Sequence, residues 1–363
     1  MVALWPTRPL TLIYKIRTLL SISSILLLSI CLIYNATFYI GNFVQLSQRL
    51  YMSISVMNSV VKATVLLYNG EKLLKLLESA KKESFCKYND FYGDVLEDFG
   101  KTYKKIEWCY RVQVIMSLTF NTAFAAIVHQ PLPMEFPHFN NGTFHYPFYF
   151  FETAALFNGG YINTATDLIT VSLIWIAAIQ LRILNRKLRD TERNVRRTNG
   201  YSEFNVERLT LEYLTECCVH YMDIEEFIIN LQEVFSVIIF VQMGASVLAI
   251  CNTGINLVTF ESIPVTLALT VYVTVMLVQL GLYCWFGNRV FTESEEITTS
   301  CYMSPWYERS TATKKILFLL MERSKRPMKI SGLKFFVLKF HTFVAILKFT
   351  YSYFTLLRNN SNA

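Results

Sequence analysis

Residues 234–251 read VFSVIIFVQMGASVLAIC, eighteen consecutive positions without a charge. A helix rises about 1.5 Å per residue, so about 20 apolar residues cross about 30 Å of hydrocarbon. With the turns before it, the stretch 224–251 is long enough to span a bilayer. Windows of the same length find further apolar runs near 19–40, 51–68, 107–129, 148–181, 263–287 and 335–357. The reading is an all-α integral membrane protein with seven transmembrane helices, residues 1–363 forming a single seven-helix domain.

Composition agrees with this solvent. Of 363 residues, 53% are hydrophobic, 15% aromatic and only 17% charged, which does not describe soluble globules. A formal charge of +7 suits nucleic acid in a polar chain. In an apolar one it reports Lys and Arg held on the cytoplasmic side of a membrane, so lipid and not nucleic acid is the expected surroundings.

The distribution of these cations tests the scheme. Arg8, Lys15 and Arg17, with the segments 69–105, 182–220 and 287–334, carry 28 of the 34 Lys and Arg. The expected outer segments carry only Arg49 and Arg358, and Lys62, Arg111, Lys339 and Lys348 fall inside the spans. The expectation is an inverted topology, with the N-terminus cytoplasmic and the C-terminus extracellular. That is the reverse of a G-protein-coupled receptor. Asn141-Gly142-Thr143 is a glycosylation sequon in the expected outer loop. A cleaved signal peptide over the first 35 or so residues leaves the later loops on the same sides. The first apolar run exceeds the usual signal core of about 7 to 15 residues and lacks a small-x-small cleavage site, which favours a retained helix.

Ionisable groups within the second and fourth spans need partners. Lys62, with Asn58, lies in the second, and a lysine at that depth needs to snorkel or find a partner. Asp167 lies in the fourth, and its carboxylate is expected to face protein. The fourth run is too long to be only a span and is expected to continue into the cytoplasm. Leu73, Leu74, Leu76 and Leu77 form an amphipathic run in the segment 70–105, which points to helices below the membrane.

Several classes of chemistry lack their residues. There is no phosphate loop, GxSxG, HExxH or EF-hand pattern and no repeat of 20 to 50 residues. Eight cysteines show no zinc spacing. Cys217, Cys218 and His220 are neighbours, but they read as helix-packing residues, so no metal or cofactor is expected. Asp167 and Glu152 alone do not supply a converging acid–base set, so an enzyme is not expected. A secondary transporter needs internal repeats and interrupted helices. Pro264 and the pair Gly159-Gly160 are the candidates for such breaks.

The last helix carries a polar stripe. His341, Ala345, Lys348, Ser352, Thr355 and Asn359 recur at spacings of four and three and share one face. Such a stripe lines a watery path or meets the polar face of a neighbouring helix. Lys348 fits a role as partner to an acidic group.

The C-terminal run Thr350-Tyr351-Ser352-Tyr353-Phe354-Thr355-Leu356-Leu357-Arg358 resembles the closing signature of insect odorant receptors. Upstream, Met321-Glu322-Arg323-Ser324-Lys325-Arg326-Pro327-Met328-Lys329 is similar to their segment before the last helix. Tyr283-Cys284-Trp285-Phe286-Gly287-Asn288, then Ser294-Glu295, Tyr302, Trp306 and Tyr307, match the inner end of their sixth helix and the loop after it. His220 and Leu231-Gln232-Glu233-Val234-Phe235-Ser236 resemble the fifth-helix region. The resemblance covers 205–358 in motifs and the earlier residues in hydropathy. Only 18 residues precede the first span, a short start for that family.

The resemblance implies a ligand-gated, non-selective cation channel in the plasma membrane of olfactory sensory neurons. The family builds it as a tetramer, usually with a shared co-receptor called Orco, and four seventh helices surround one pore. It implies a cytoplasmic anchor made by the inner parts of helices four to seven. Leu356 matches a hydrophobic residue that narrows the pore. Asn360 stands where the co-receptor has a second apolar residue, and Ser352 and Asn359 join them as candidate pore residues.

The family's ligand site lies in the outer half, between helices two, three, four and six. Residues at that depth are Val56, Met57 and Val60; Thr119, Phe120 and Ala123; Tyr149, Phe150 and Thr153; and Thr266, Thr270 and Tyr272. This apolar and aromatic set with a few hydroxyls suits a small volatile held by shape and dispersion. An insect gustatory receptor is the nearest alternative. Its Thr-Tyr pair is met by Thr350-Tyr351, but Arg358-Asn359 replaces its Gln-Phe close.

Overall fold

The computed structural model describes residues 12–41, 43–87, 92–127, 145–199, 206–259, 263–307 and 309–361. Among these, seven helices are long: α1 (Leu12–Thr37), α2 (Phe43–Tyr68), α5 (Gly93–Ile127), α6 (His145–Arg189), α8 (Val206–Thr259), α9 (Ile263–Tyr302) and α11 (Phe340–Ser361). Between them lie α3 (Gly70–Ser79), α4 (Glu83–Cys86), α7 (Thr191–Asn199) and α10 (Thr311–Ser324). A two-stranded antiparallel hairpin, β1 (Ser331–Gly332) and β2 (Phe336–Val337), precedes α11.

Among the described residues, five helices contain stretches long and apolar enough to cross a membrane: Lys15–Thr37, Gln45–Tyr68, Pro147–Arg189, Val206–Leu257 and Val265–Tyr302. The other two long helices, α5 of 35 residues and α11 of 22, are more polar. The outer surface is apolar as lipid requires. On α1 alone, Leu12, Ile13, Ile16, Leu19, Leu20, Leu26, Leu27, Ile30 and Ile33 are exposed, far more apolar surface than a soluble monomer shows. Hydroxyls inside the bundle bond the carbonyls of the turn before, as Thr166 does to Ile162, Thr170 to Thr166 and Thr253 to Ala249. Their polarity is thereby satisfied without water.

The helix α6 is central, packing against α1, α2, α5, α8 and α9. It runs unbroken through Gly159 and Gly160, so no discontinuous helix arises there. Pro264 is the second residue of α9, where a missing N–H costs little.

Several helices outrun the expected spans. The helix α5 begins at Gly93, α8 at Val206, and α9 continues to Tyr302. Their extensions meet at one end of the molecule, held by ion pairs between the basic segments and acidic partners. Lys82 reaches Asp223 and Glu226 at 2.7 and 2.8 Å, Lys87 reaches Glu216 at 2.8 Å, and Arg189 reaches Glu296 at 3.0 Å. Arg323 binds Glu225 at 2.9 Å. The hydrogen bond from Arg186, 2.9 Å away, holds the Asp94 carboxyl below its ordinary range. This charged end is the inner end of the bundle and the opposite one the outer. Leu73 and Leu76 of α3 are buried beneath it.

The last span is corrected at its start. Residues 335–339 belong to the hairpin and the turn after it, and α11 starts at Phe340. The cause is local: Leu333 and Lys334 both take positive φ, 46° and 64°, and Phe335 N–H bonds Gly332 O at 2.9 Å, so the chain reverses. A Cβ on Gly332 would lie 2.7 Å from the Phe240 backbone nitrogen, so glycine is what lets the hairpin lie on α8. Pro327 falls in the non-helical stretch after α10.

Cysteines are also partly corrected. Cys217, Cys251, Cys284 and Cys301 are buried as expected of packing residues, but Cys86 and Cys109 are exposed. His220 is buried beside Phe85 and 3.0 Å from the Gln180 amide oxygen.

Candidate ligand cavity and its polar floor

Four of the long helices leave a space between them. On α2 the lining residues are Met52, Ser55, Val56 and Ser59; on α6 they are Leu156, Gly159, Gly160 and Asn163. Both sets follow i, i+3, i+4, i+7, one face of a helix. Tyr110, Val114, Ser117, Leu118 and Asn121 come from α5, and Tyr272, Val275 and Met276 from α9. Glycines and serines recur on these faces, so the helices do not fill the gap with side chains. What remains is a cavity of about 80 Å³.

The walls are mostly apolar and the polar groups sit at defined places. Near the outer side, the Tyr272 hydroxyl is 2.5 Å from the Ser55 hydroxyl and donates to the Tyr51 carbonyl at 3.1 Å. At the inner end the cavity rests on charge. Lys62 and Asp167, 0% and 1% exposed, form an ion pair between α2 and α6. The Lys62 ammonium also donates to Asn163 Oδ1 at 2.6 Å. Asp167 further accepts from Tyr110 at 3.1 Å, from Tyr283 at 2.7 Å and from the Gln279 amide. Asn58 continues the network to Gln242 at 2.8 Å, and Gln242 to Ser246 at 2.8 Å.

One carboxylate thus ties α2, α5, α6 and α9 together. The expectation that Asp167 faces protein holds, and Lys62 has its partner. Tyr110 and Asn163 belong both to the cavity wall and to this network. Glu152, also buried on α6, stands fifteen positions before Asp167, roughly 22 Å along a helix, so the two carboxyls do not share a site.

Of the residues expected at the ligand site, Val56 and Tyr272 line the cavity. Met57, Thr119, Phe150 and Thr270 are exposed on outer faces. The hydroxyl of Thr119 bonds Ile115 O on its own helix, and that of Thr270 bonds Thr266 O. Val60, Phe120, Tyr149, Thr153 and Thr266 are off the lining. The side chain of Ala123 lies outside the described residues. Depth along the helices was legible and phase around them was not. The i, i+3, i+4, i+7 stripes of small and polar residues are the signal that finds the lining.

On α11, His341, Ala345, Lys348 and Ser352 are exposed, while Ile346 and Thr350 are buried. The polar stripe therefore faces away from α8 and α9, the helices α11 packs on. That corrects the packing alternative within one chain, and Lys348 is not buried against an acid. The side chains of Leu356, Asn359 and Asn360 lie outside the described residues, as does all of Asn141.

The 7tm odorant receptor family model matches residues 42–351. Odorant receptor 94a of Drosophila melanogaster is 23% identical over 338 residues, 90% of this chain and 84% of that protein. The odorant receptor coreceptor of Aedes aegypti is 33% identical over 86 residues, 24% of this chain and 18% of that one. Among solved structures, the insect olfactory receptor OR5 from Machilis hrabei superposes with a TM-score of 0.82 at 14% identity, covering 97% of this chain and 91% of that one. The same receptor in complex with eugenol gives a TM-score of 0.84 at 14% identity, covering 98% and 92%.

Proposed function

This chain belongs to the odorant receptor family, and from that premise we propose that it is the odorant-binding subunit of a ligand-gated, non-selective cation channel. The observation that carries the reading is the cavity enclosed by α2, α5, α6 and α9. It is small, mostly apolar, and furnished with a few hydroxyls and amides. Such a site selects a small volatile by shape and dispersion, with one hydrogen-bonding group oriented by Ser117, Asn121 or Asn163.

The protein is a multi-pass membrane receptor and not an enzyme. We place its charged inner end in the cytoplasm, its C-terminus outside, and its residence in the dendritic plasma membrane of olfactory sensory neurons. The seven long helices act as one domain. Asn141 lies on the outside in this topology and is the glycosylation candidate. The similarity to a coreceptor supports assembly with Orco in a heterotetramer surrounded by lipid. The exposed stripe on α11 supports a pore lined by Ser352, with Leu356, Asn359 and Asn360 toward its outer end.

Gating follows from the shared residues. A ligand that favours one arrangement of the cavity walls shifts the channel equilibrium by its differential affinity for the two states. Tyr110 directly and Asn163 through Lys62 connect those walls to Asp167, and Asp167 accepts from Tyr283 and Gln279 of α9. Gly281 and Gly287 of α9 lie against Phe343 and Leu338, at and just before the start of α11. The connection from cavity to pore helix is therefore continuous in space.

The test is recording from cells that express this chain with and without the co-receptor against an odour panel under G-protein blockade. Direct gating predicts odour-evoked current that survives the blockade, and its loss refutes the reading. In the same cells a water-soluble thiol reagent is expected to reduce the current of Ser352→Cys and not of the parent; no difference between them removes Ser352 from the pore.

A further inference from the structure

A second space lies beside the cavity, on the outer surface between α5 and α6. It is a crevice of about 630 Å³, lined by Val114, Ile115 and Leu118 from α5 and by Phe157, Tyr161 and Ala165 among others from α6, with the Glu107–Arg111 ion pair of α5 on its inner side. Ile115 is 56% and Tyr161 49% exposed. In the membrane reading these face lipid. The helix α11 packs on α8 and α9, so the crevice does not open toward the would-be pore.

The crevice and the cavity share two wall residues, Val114 and Leu118. Leu118 is a partition with a particular support. A Cβ added to Gly160 would fall 2.7 Å from Leu118 Cδ1, so the leucine rests on bare backbone of α6. One face of its side chain looks into the cavity and the other into the crevice. Rotation of a half-buried leucine is fast compared with helix motion. The two spaces thus meet at the side chains of Val114 and Leu118.

We propose that the α5–α6 crevice is the portal through which an apolar odorant passes from the bilayer into the cavity, with Leu118 as its door. The proposal rests on reading the cavity as the odorant site. The occupant is a small apolar volatile dissolved in lipid. Each methylene raises its preference for hydrocarbon over water about fourfold, so a medium-chain volatile is concentrated by orders of magnitude at the mouth of the crevice.

A portal alters barriers and leaves the end states alone, which fixes the test. Ala165 and Tyr161 line the crevice and not the cavity. Odorant steps are applied to cells expressing the chain with the co-receptor, and current onset, washout and half-maximal concentration are measured. Ala165→Trp is expected to slow onset and washout several-fold together, with the half-maximal concentration within twofold of the parent. Tyr161→Ala widens the mouth and is expected to speed both. Unchanged onset and washout in both variants, beside a parent that responds normally, overturn the portal while the odorant site stands. A shifted half-maximal concentration with unchanged onset also overturns it, since the crevice would then hold ligand and not pass it. A parent silent to every odorant overturns the underlying reading instead. If Ala165→Trp does not reach the surface, Tyr161→Ala decides alone by the same measure.

Discussion

The Lys62 ammonium of α2 and the Asp167 carboxylate of α6 meet inside the bundle at 0% and 1% exposure. Neither charge has water to fall back on, and each is satisfied by groups from other helices. The pair therefore sets both the spacing of α2 from α6 and the floor of the cavity.

Removing one partner strands the other. Asp167→Asn and Lys62→Met are each expected to destabilise the protein by about 3–5 kcal/mol, read as a lowered midpoint of thermal unfolding in detergent and reduced surface expression. The double variant Lys62→Met with Asp167→Leu is expected to recover part of the loss and not all of it. Tyr110, Tyr283 and Gln279 still lose their acceptor. Additive losses in the double variant would contradict the pairing.

Tyr110→Phe keeps the ring in the cavity wall and deletes the hydroxyl bonded to Asp167. Tyr283→Phe does the same from α9. Each is expected to cost about 1.5–3 kcal/mol of stability, since the acceptor is a carboxylate. If the network couples cavity to pore, their effects on the half-maximal odorant concentration are non-additive by more than about 0.5 kcal/mol. A double-mutant cycle of concentration–response curves measures this, and strict additivity would show that the coupling runs elsewhere.

Gly287 is required by the approach of α9 to the segment leading into α11. An added Cβ would meet Leu338 Cβ at 2.2 Å and its carbonyl oxygen at 2.7 Å. Gly287→Ala is expected to cost about 1–3 kcal/mol and to displace the start of α11, with a large loss of current per receptor at the surface. Leu338→Gly in the same chain removes the Cβ contact and leaves the carbonyl contact, so rescue is expected to be partial. Surface labelling with whole-cell recording separates lost folding from lost gating.

The hairpin before α11 stores backbone strain. Lys334 adopts φ 64°, a conformation that asparagine tolerates better than lysine. Lys334→Asn is expected to raise stability by about 0.5–1 kcal/mol, measured as a higher unfolding midpoint. A drop would mean that the lysine head group makes a compensating contact.

Much of this is legible in the sequence itself. Charge-free runs such as 234–251 announced helices that need an apolar solvent, because backbone groups in hydrocarbon must bond within their own helix. The segregation of Lys and Arg announced a charged end, and the described parts of 69–105, 182–220 and 287–334 come together there through pairs such as Arg186–Asp94 and Arg189–Glu296. The motifs from Tyr283 to Arg358 pointed to the family.

Other features came only from folding. Periodicity says which residues share a helix face but not what that face meets, so Val56 and Met57 are both expected at the depth of the ligand site, and of the two Val56 lines the cavity. Lys62 and Asp167 stand 105 positions apart, and nothing local pairs them. The hairpin at 331–337 interrupts an apolar run, because a backbone reversal at Leu333 and Lys334 leaves hydropathy unchanged. Hydropathy and charge depend on each residue's affinity for its solvent, a property carried by the residue alone. Cavities, ion pairs and close glycine contacts depend on the rotation of one helix against another, which exists only once all the helices have packed.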